Sequence, residues 1–162
     1  TVQGTRIKEI PVLNAALVAI AWAVPVVVLP VAFADATLTP TAGLLVLYFG
    51  FATLVNTEIA NIRDVESDRA SGVATMPTIV GVERTRTTLY TLSLGTLVVL
   101  CGGVVSGIVT VLSAAVLSIG VVCLVGILSL VERISNERLL ALGAECTPVP
   151  VLLGLVVLAV LS

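Results

Sequence analysis

The sequence predicts an all-α membrane protein, and three observations lead to that fold class. Of the 162 residues, 58% are hydrophobic and only 11% are charged, whereas a soluble domain carries about 25% charged residues. The mean hydropathy is +1.20. A helix that spans a membrane needs about 20 mostly apolar residues. Apolar runs of about this length recur along the chain. We therefore expect residues 1–162 to form a single membrane domain, a multi-span bundle of transmembrane helices.

Five apolar stretches qualify as membrane spans or nearly so. They cover residues 12–34, 41–60, 87–106, 109–131 and 147–162. Pro25 and Pro30 lie inside the first stretch, where neighbouring helices must supply the missing hydrogen bonds, so we expect a kink near Pro25. The last stretch is short: either it is cut off, or residues 140–144 complete it.

The basic residues separate the predicted loops into two groups. They lie before the first span, between the second and third, and between the fourth and fifth: Arg6, Lys8, Arg63, Arg69, Arg84, Arg86, Arg133 and Arg138. The two opposite loops, residues 35–40 and the bend near Gly107, contain none. Lys and Arg are enriched in cytoplasmic loops. We therefore predict that the charged loop after the second span faces the cytoplasm.

Composition and charge exclude several function classes. A net charge of -2 argues against nucleic-acid binding, which requires a basic patch. The chain has no histidine, and Cys101, Cys123 and Cys146 lie far apart in sequence. A cysteine metal site and a disulfide framework are therefore not expected.

The most informative segment is NIRDVESDRASG, residues 61–72, which is densely charged between long apolar stretches. If the second span continues as a helix past Ala60, its polar positions fall on one face: Thr57, Asn61, Asp64 and Asp68. Carboxylates at positions i and i+4 stand about 5–6 Å apart and repel each other unless a cation lies between them. The spacing of Asp64 and Asp68 is therefore typical of a cation site.

Mg²⁺ suits this arrangement because it prefers oxygen ligands and commonly binds one or two carboxylates together with water and substrate phosphates. Asn61 adds a neutral oxygen, and the guanidinium of Arg69 matches phosphate oxygens. The segment thus indicates a magnesium-bridged diphosphate site. A solvated charged loop is the alternative, although ionisable groups near a membrane are costly and often functional. Glu58, just inside the predicted edge, is the costliest of them.

The longer stretch NIRDVESDRASGVATMPTIVG resembles the second aspartate-rich motif of the UbiA family of intramembrane prenyltransferases. That motif is approximately N/D-x-x-D-x-x-x-D-R-x-x-G, followed by T-L-P-x-x-x-G. The matching positions are Asn61, Asp64, Asp68, Arg69, Gly72, Thr75, Pro77 and Gly81. Met76 replaces a leucine, and the asparagine at position 61 is common in members that act on naphthoate-type acceptors. RIKEIPVLNAALVAIAWAVP, residues 6–25, also resembles the start of the family's fifth helix.

The resemblance implies a nine-helix bundle around a central cavity, in which the five spans correspond to helices five to nine. The family's first aspartate-rich motif, N-x-x-x-D-x-x-x-D, belongs to the first half and does not occur in these 162 residues. We therefore expect the chain to be the C-terminal part of a larger prenyltransferase. It would need its N-terminal half and be inactive alone.

The resemblance also implies Mg²⁺-dependent transfer of a polyprenyl group from an isoprenyl diphosphate to a lipophilic or aromatic acceptor in the membrane. Asp64, Asp68 and Asn61 would then hold the metal, and Arg69 and Asn61 would contact the diphosphate. Lys8 and Arg6 precede the first span on the predicted cytoplasmic face. From that position they would either contact the diphosphate or anchor the chain to lipid headgroups.

Several points stay open at this stage. Quinone precursors, glycerol-phosphate lipids, tetrapyrroles and carotenoids are all acceptors within the family, and the residues do not choose among them. The alternative function is a non-catalytic membrane module, such as a transporter half with a cation-binding acidic loop.

Overall fold

The computed structural model describes residues 11–131, 143 and 146–161, and within them all regular structure is helical. The helices are α1 (Pro11–Phe33), α2 (Pro40–Arg63), α3 (Val65–Ser71), α4 (Met76–Val80), α5 (Val82–Val105), α6 (Val111–Leu130) and α7 (Pro148–Leu161). The predicted all-α class is therefore confirmed. The predicted basic positions Arg6, Lys8, Arg133 and Arg138 lie outside the described residues.

In the part of the chain that the structure describes, four helices are long and apolar enough to cross a membrane: α1, α2, α5 and α6. The fifth predicted span corresponds to α7, which has 14 residues. At about 1.5 Å per residue it is about 21 Å long, shorter than a hydrocarbon core of about 30 Å. The chain is thus an integral membrane protein with four candidate spans and one shorter apolar helix.

Helix α1 packs on α2 through small side chains. Ala15, Ala19, Ala23 and Val27 recur every fourth residue and are all buried. A Cβ built on Gly50 of α2 would lie 3.8 Å from the Cβ of Ala23. Small residues allow transmembrane helices to approach closely. Helix α1 continues through Pro25 and Pro30.

One side-chain hydrogen bond shows which ends of the helices lie together. The hydroxyl of Thr41, at the start of α2, donates to the carbonyl of Ile108 at 2.7 Å, in the bend between α5 and α6. The two loops without basic residues are therefore at the same end of the bundle. The end of α2 and the start of α5, with Arg63 and Arg84, are at the other.

The core consists of two apolar clusters along the packed helices α2, α5 and α6. The first, nearer the Thr41 end, contains Leu44, Tyr48, Leu100, Val109, Ala114, Leu117, Val121 and Val151. The second, nearer the charged end, contains Val55, Ile59, Ile62, Leu89, Leu124, Leu128 and Val131. These contacts hold α2 against α5 and α6, and so set the position of the charged segment that follows α2.

Candidate functional site

The charged segment, residues 61–72, begins in the last turn of α2 and continues into α3 after a break of one residue. Helix α2 ends at Arg63, and Asp64 has φ -92° and ψ 8°. The amide of Asp64 still donates to Ala60 O at 3.0 Å, and its carbonyl accepts from Asp68 N at 2.9 Å. The predicted continuous helix past Ala60 is therefore interrupted at Asp64. The two backbone hydrogen bonds, from Asp64 N to Ala60 O and from Asp68 N to Asp64 O, nevertheless keep the spacing of an α-helix, so Asp68 follows Asp64 by about one turn.

Asp64 forms a two-point ion pair with its neighbour. Arg63 Nε donates to Asp64 Oδ1 at 2.7 Å, and Arg63 Nη2 donates to Oδ2 at 2.9 Å. These hydrogen bonds hold the pKa of the Asp64 carboxyl below its usual value, with partial burial acting in the opposite direction. The guanidinium thus hydrogen-bonds both oxygens of a predicted metal ligand, and a cation bound at this position would compete with it for the carboxylate.

Asp68 is held by the tail of the motif. Gly72, with φ +67°, ends α3 in the left-handed conformation that glycine adopts without steric cost. The chain then folds back, and the hydroxyl of Thr75 donates to Asp68 Oδ2 at 3.2 Å. Thr75 is the residue before α4, and its N–H donates to the hydroxyl of Thr78 at 2.8 Å. Thr75 matches the motif, but its contact with Asp68 was not predictable from the sequence because it depends on the turn at Gly72.

Asn61 is oriented from inside the bundle. Its Nδ2 donates to Glu58 Oε2 at 3.1 Å, and Glu58 is only 2% exposed. This bond uses the nitrogen of the amide and does not involve Oδ1, the atom that can bind a cation. The sequence predicts Glu58 to be the ionisable residue that is most costly to place near the membrane. The structure adds that it positions Asn61.

The remaining predicted site residues are basic. Arg69 Nη1 lies 2.9 Å from Glu66 Oε1, and both side chains are at least half exposed. Lys8 lies outside the described residues. Of the predicted set, the structure therefore brings Asn61, Asp64, Asp68 and Arg69 to one end of the bundle.

The donor atoms at this end fit Mg²⁺ in chemical type, since they are two carboxylates and an amide oxygen. They do not enclose a metal by themselves: within the described ranges, no three His, Cys, Asp or Glu side chains form a group that could hold an ion. Such a partial set suits Mg²⁺, which commonly keeps waters and substrate phosphates as its other ligands.

A cavity of about 490 Å³ lies between α1, α2, α6 and α7. It is lined by Val18, Trp22, Val26, Tyr48, Phe49, Ala52, Thr53, Asn56, Thr57, Gly120, Leu124, Thr147, Pro148, Val151 and Leu152. Its volume is in the range of small-molecule sites, about 300–1,000 Å³. Thr57 lines the cavity and precedes Asn61, the first residue of the charged segment, by one helical turn. The charged segment therefore begins one turn beyond the cavity wall.

One of three comparisons with known proteins gives a match. A sequence model described as the UbiA prenyltransferase family matches residues 5–143, a range that includes helices α1 to α6 and the whole charged segment. Searches of curated proteins and of solved structures gave no match. Because the family match covers most of the chain, the chain belongs to the UbiA prenyltransferase family, whose members are membrane prenyltransferases.

Proposed function

We propose that the chain carries out Mg²⁺-dependent transfer of a polyprenyl group from an isoprenyl diphosphate to an acceptor in the membrane. One observation carries the proposal. Thr57 and Asn61 follow each other by one turn at the end of α2, directly before Asp64, and Thr57 is already part of the cavity wall. The charged end suits a diphosphate, and the largely apolar cavity suits a polyprenyl chain.

At the charged end, Asp64, Asp68 and Asn61 would hold Mg²⁺. The bound ion supplies positive charge where negative charge develops on the leaving diphosphate, which lowers the barrier by several kcal/mol. Arg69 would exchange its exposed pair with Glu66 for phosphate oxygens, which a guanidinium binds with two parallel hydrogen bonds. Glu58 and Thr75 act indirectly, by orienting Asn61 and Asp68. We include Lys8 as a further diphosphate contact because it precedes the first span on the predicted cytoplasmic face.

The cavity has a different role. Its lining is mostly aliphatic and aromatic, which suits an isoprenoid chain. Such a lining would also keep water away from the prenyl carbon from which the diphosphate departs. Exclusion of water matters because the reactive carbon would otherwise be captured by hydrolysis.

We propose further that the chain acts together with an N-terminal half that carries the first aspartate-rich motif, since the 162 residues contain only the second. In that arrangement its apolar helices correspond to helices five to nine of the bundle. The charged end would face the cytoplasm, because the basic residues gather there.

The test is turnover by the chain paired with such a half in lipid nanodiscs. Geranylgeranyl diphosphate would be offered with a panel of acceptors, with and without Mg²⁺. We expect a prenylated product only when Mg²⁺ is present. Failure with every acceptor, combined with tight Mg²⁺ binding in the absence of diphosphate, would instead favour a non-catalytic module with a cation-binding loop.

A further inference from the structure

A second groove, with a volume of about 460 Å³, lies between α2 and α5. Phe51 forms its α2 side, and the α5 side extends from Thr87 to Val99. Gly95 lies within that stretch and is exposed, and a Cβ built on it meets nothing within 4 Å. No side chain of the described helices therefore fills the groove at Gly95. Because α2 and α5 are candidate membrane spans, such a surface meets lipid.

The groove has the length of one leaflet of a bilayer. From Thr87 to Val99 the axis of α5 rises about 18 Å, and half of a hydrocarbon core is about 15 Å thick. Gly95 lies near the middle of α5, and Phe51 lies near the middle of α2. The groove thus extends from the charged end of the bundle to about half its height, which is the reach of one acyl chain.

Arg84 lies one turn before the groove on the same face of α5. Spacings of four, three and four place Arg84, Thr88, Thr91 and Gly95 in one row along the helix. Arg84 is exposed, and none of the ion pairs among the described residues includes it. Helical side chains tilt toward the start of their helix, so the guanidinium extends from the groove toward the level of the lipid headgroups.

The threonine hydroxyls of the groove are already used within α5. Thr87 donates to Glu83 O at 3.0 Å, and Thr88 donates to Arg84 O at 2.9 Å. Thr91 donates to Thr87 O at 2.9 Å. These hydroxyls have no proton left for a phosphate, and their methyl groups suit an acyl chain. Arg84 is therefore the group in this row that binds an anion.

The charges at the start of α5 favour an anionic headgroup. Glu83 precedes Arg84 and lies about 100° away from it around the helix. The Glu83 carboxylate lies 3.8 Å from Arg86 Nη1, so a second arginine offsets its charge. These three groups carry one positive charge in excess. A zwitterionic headgroup brings its own cation and gains less from that excess than an anionic one.

We propose that the groove between α2 and α5 binds an anionic phospholipid. One acyl chain lies along α5 over Gly95 and against Phe51, and the phosphate pairs with Arg84. This lipid site goes beyond the proposed function and is independent of it, because it uses none of the residues assigned to the diphosphate.

Native mass spectrometry tests the site by counting the lipids bound to the delipidated chain. The probes are phosphatidylglycerol and phosphatidylcholine with identical acyl chains. We expect one phosphatidylglycerol per chain, bound more tightly than phosphatidylcholine. Arg84→Gln should weaken phosphatidylglycerol binding about five-fold, the effect of one basic residue at an anionic membrane surface, and should affect phosphatidylcholine less. Arg84→Lys keeps the charge and should retain most of the affinity.

Gly95→Leu tests the place of the acyl chain. A side chain in the groove should weaken both lipids by about five-fold or more, because it overlaps the bound chain. Gly102→Leu is the matched control, since Gly102 is exposed on the same helix beyond the groove and its Cβ also meets nothing within 4 Å. Val99→Phe fills the groove at another point, should Gly95→Leu fail to insert.

Wild-type affinity for phosphatidylglycerol in Arg84→Gln, or for both lipids in the groove-filling variants, would overturn the proposal. Displacement of the lipid by glycerol phosphate would reveal a site for free anions instead. Loss of the lipid when two chains associate would show that a second copy covers the groove. Prenyl transfer is not part of these measurements, so their failure and a failure of the proposed function are distinguishable.

Discussion

Both carboxylate oxygens of Asp64 accept hydrogen bonds from the guanidinium of Arg63, at 2.7 and 2.9 Å. The side chains are 27% and 46% exposed, and pairs as accessible as this contribute only about 0–1 kcal/mol to stability. Arg63 is therefore better understood as an internal cation that occupies a ligand of the proposed Mg²⁺ site. In the proposed site it would balance the charge of Asp64 while no metal is bound.

The first prediction follows from this competition. Arg63→Gln should bind Mg²⁺ about two- to five-fold more tightly in the absence of diphosphate, because the metal no longer has to displace an ion pair of that strength. Titration calorimetry in nanodiscs, or Mn²⁺ binding followed by electron paramagnetic resonance, gives the affinity. Arg84→Gln is the control, since Arg84 is an exposed arginine on α5 and its loss changes the net charge equally.

The same variant has a second readout. The pKa of Asp64 is lowered mainly by its hydrogen bonds to Arg63, so Arg63→Gln should raise it toward the usual carboxyl value. The sign for stability follows: the pair contributes above the unfolded pKa, and its contribution disappears as the pH falls through the lowered pKa. Carboxyl-carbon NMR of the metal-free protein measures the titration. An unchanged Asp64 pKa together with unchanged Mg²⁺ affinity would show that Arg63 does not compete.

The second prediction concerns the aspartates. Asp64→Ala and Asp68→Ala should abolish prenyl transfer while leaving insertion and thermal unfolding in detergent nearly unchanged. Asp68→Asn should also fail, because a neutral amide keeps the size of the side chain and loses the charge that Mg²⁺ needs.

Glu66→Ala is the matched control for the aspartates. Its side chain is 84% exposed and forms only a surface pair with Arg69, so turnover should persist. If Asp64→Ala kept near wild-type, Mg²⁺-dependent turnover, the diphosphate-site interpretation would be wrong, and the segment would be a solvated loop.

The third prediction concerns the threonine that holds Asp68. Thr75→Val keeps the shape of the side chain and removes the hydroxyl that donates to Asp68 Oδ2. Groups that orient a metal ligand typically change affinity by about 10–100-fold, and we expect the lower end because Mg²⁺ would also bind Asp64. Thr75→Ser retains the donor and should restore most of the affinity. Equal affinities for the two variants would make Thr75 only the residue that begins α4.

The helical class and the membrane location could be predicted from hydropathy, because bilayer insertion depends on local composition. The extent of each helix could not. Helix α5 begins at Val82, five residues before the predicted span, because a helix continues into water beyond its apolar part. Helix α7 begins at Pro148, one residue after the start of the predicted fifth span.

In the candidate site, too, some features could be predicted from the sequence and others could not. The i, i+4 spacing of Asp64 and Asp68 could be predicted from the sequence because it is a local property of a helix. The partner of each carboxylate could not, because it depends on chain reversals and rotamers. The turn at Gly72 brings Thr75 back to Asp68, and Arg63 folds onto its own neighbour. The cavity required contacts among four helices, so its lining was not predictable from any single segment.

The fourth prediction concerns the membrane side. In a variant without native cysteines, a cysteine at Ala36, exposed next to Asp35 with its φ of +48°, or at Ser106 should react with an impermeant maleimide from outside the cell. A cysteine at Glu66 or Asn136 should react only after permeabilisation. Ser106 is preferable to the adjacent Gly107, whose φ of +70° would strain a substituted residue. Labelling of both sets in intact cells would contradict the proposed orientation.

The last prediction tests the packing beside the cavity. A Cβ added at Gly120 of α6 would overlap the Tyr48 hydroxyl and lie 2.7 Å from Val151 Cγ2. Gly120→Ala should therefore lower the free energy of unfolding by about 1–3 kcal/mol, as overpacking usually does. Thermal unfolding in detergent measures the change. Gly126→Ala is the control, because a Cβ there meets nothing within 4 Å and alanine is the better helix former.

A double mutant identifies the cause of this loss. Tyr48→Phe alone should destabilise the protein by about 0.5–1.5 kcal/mol, because the hydrogen bond to the Leu117 carbonyl disappears. The same change removes the oxygen that collides with the new methyl group. The double mutant Tyr48→Phe, Gly120→Ala should therefore lose clearly less free energy of unfolding than the sum of the two single mutants, as expected for residues in direct contact. Strict additivity would mean that the collision is relieved elsewhere, for example by movement of α7 at Val151, and that Tyr48 does not fix the distance between α2 and α6.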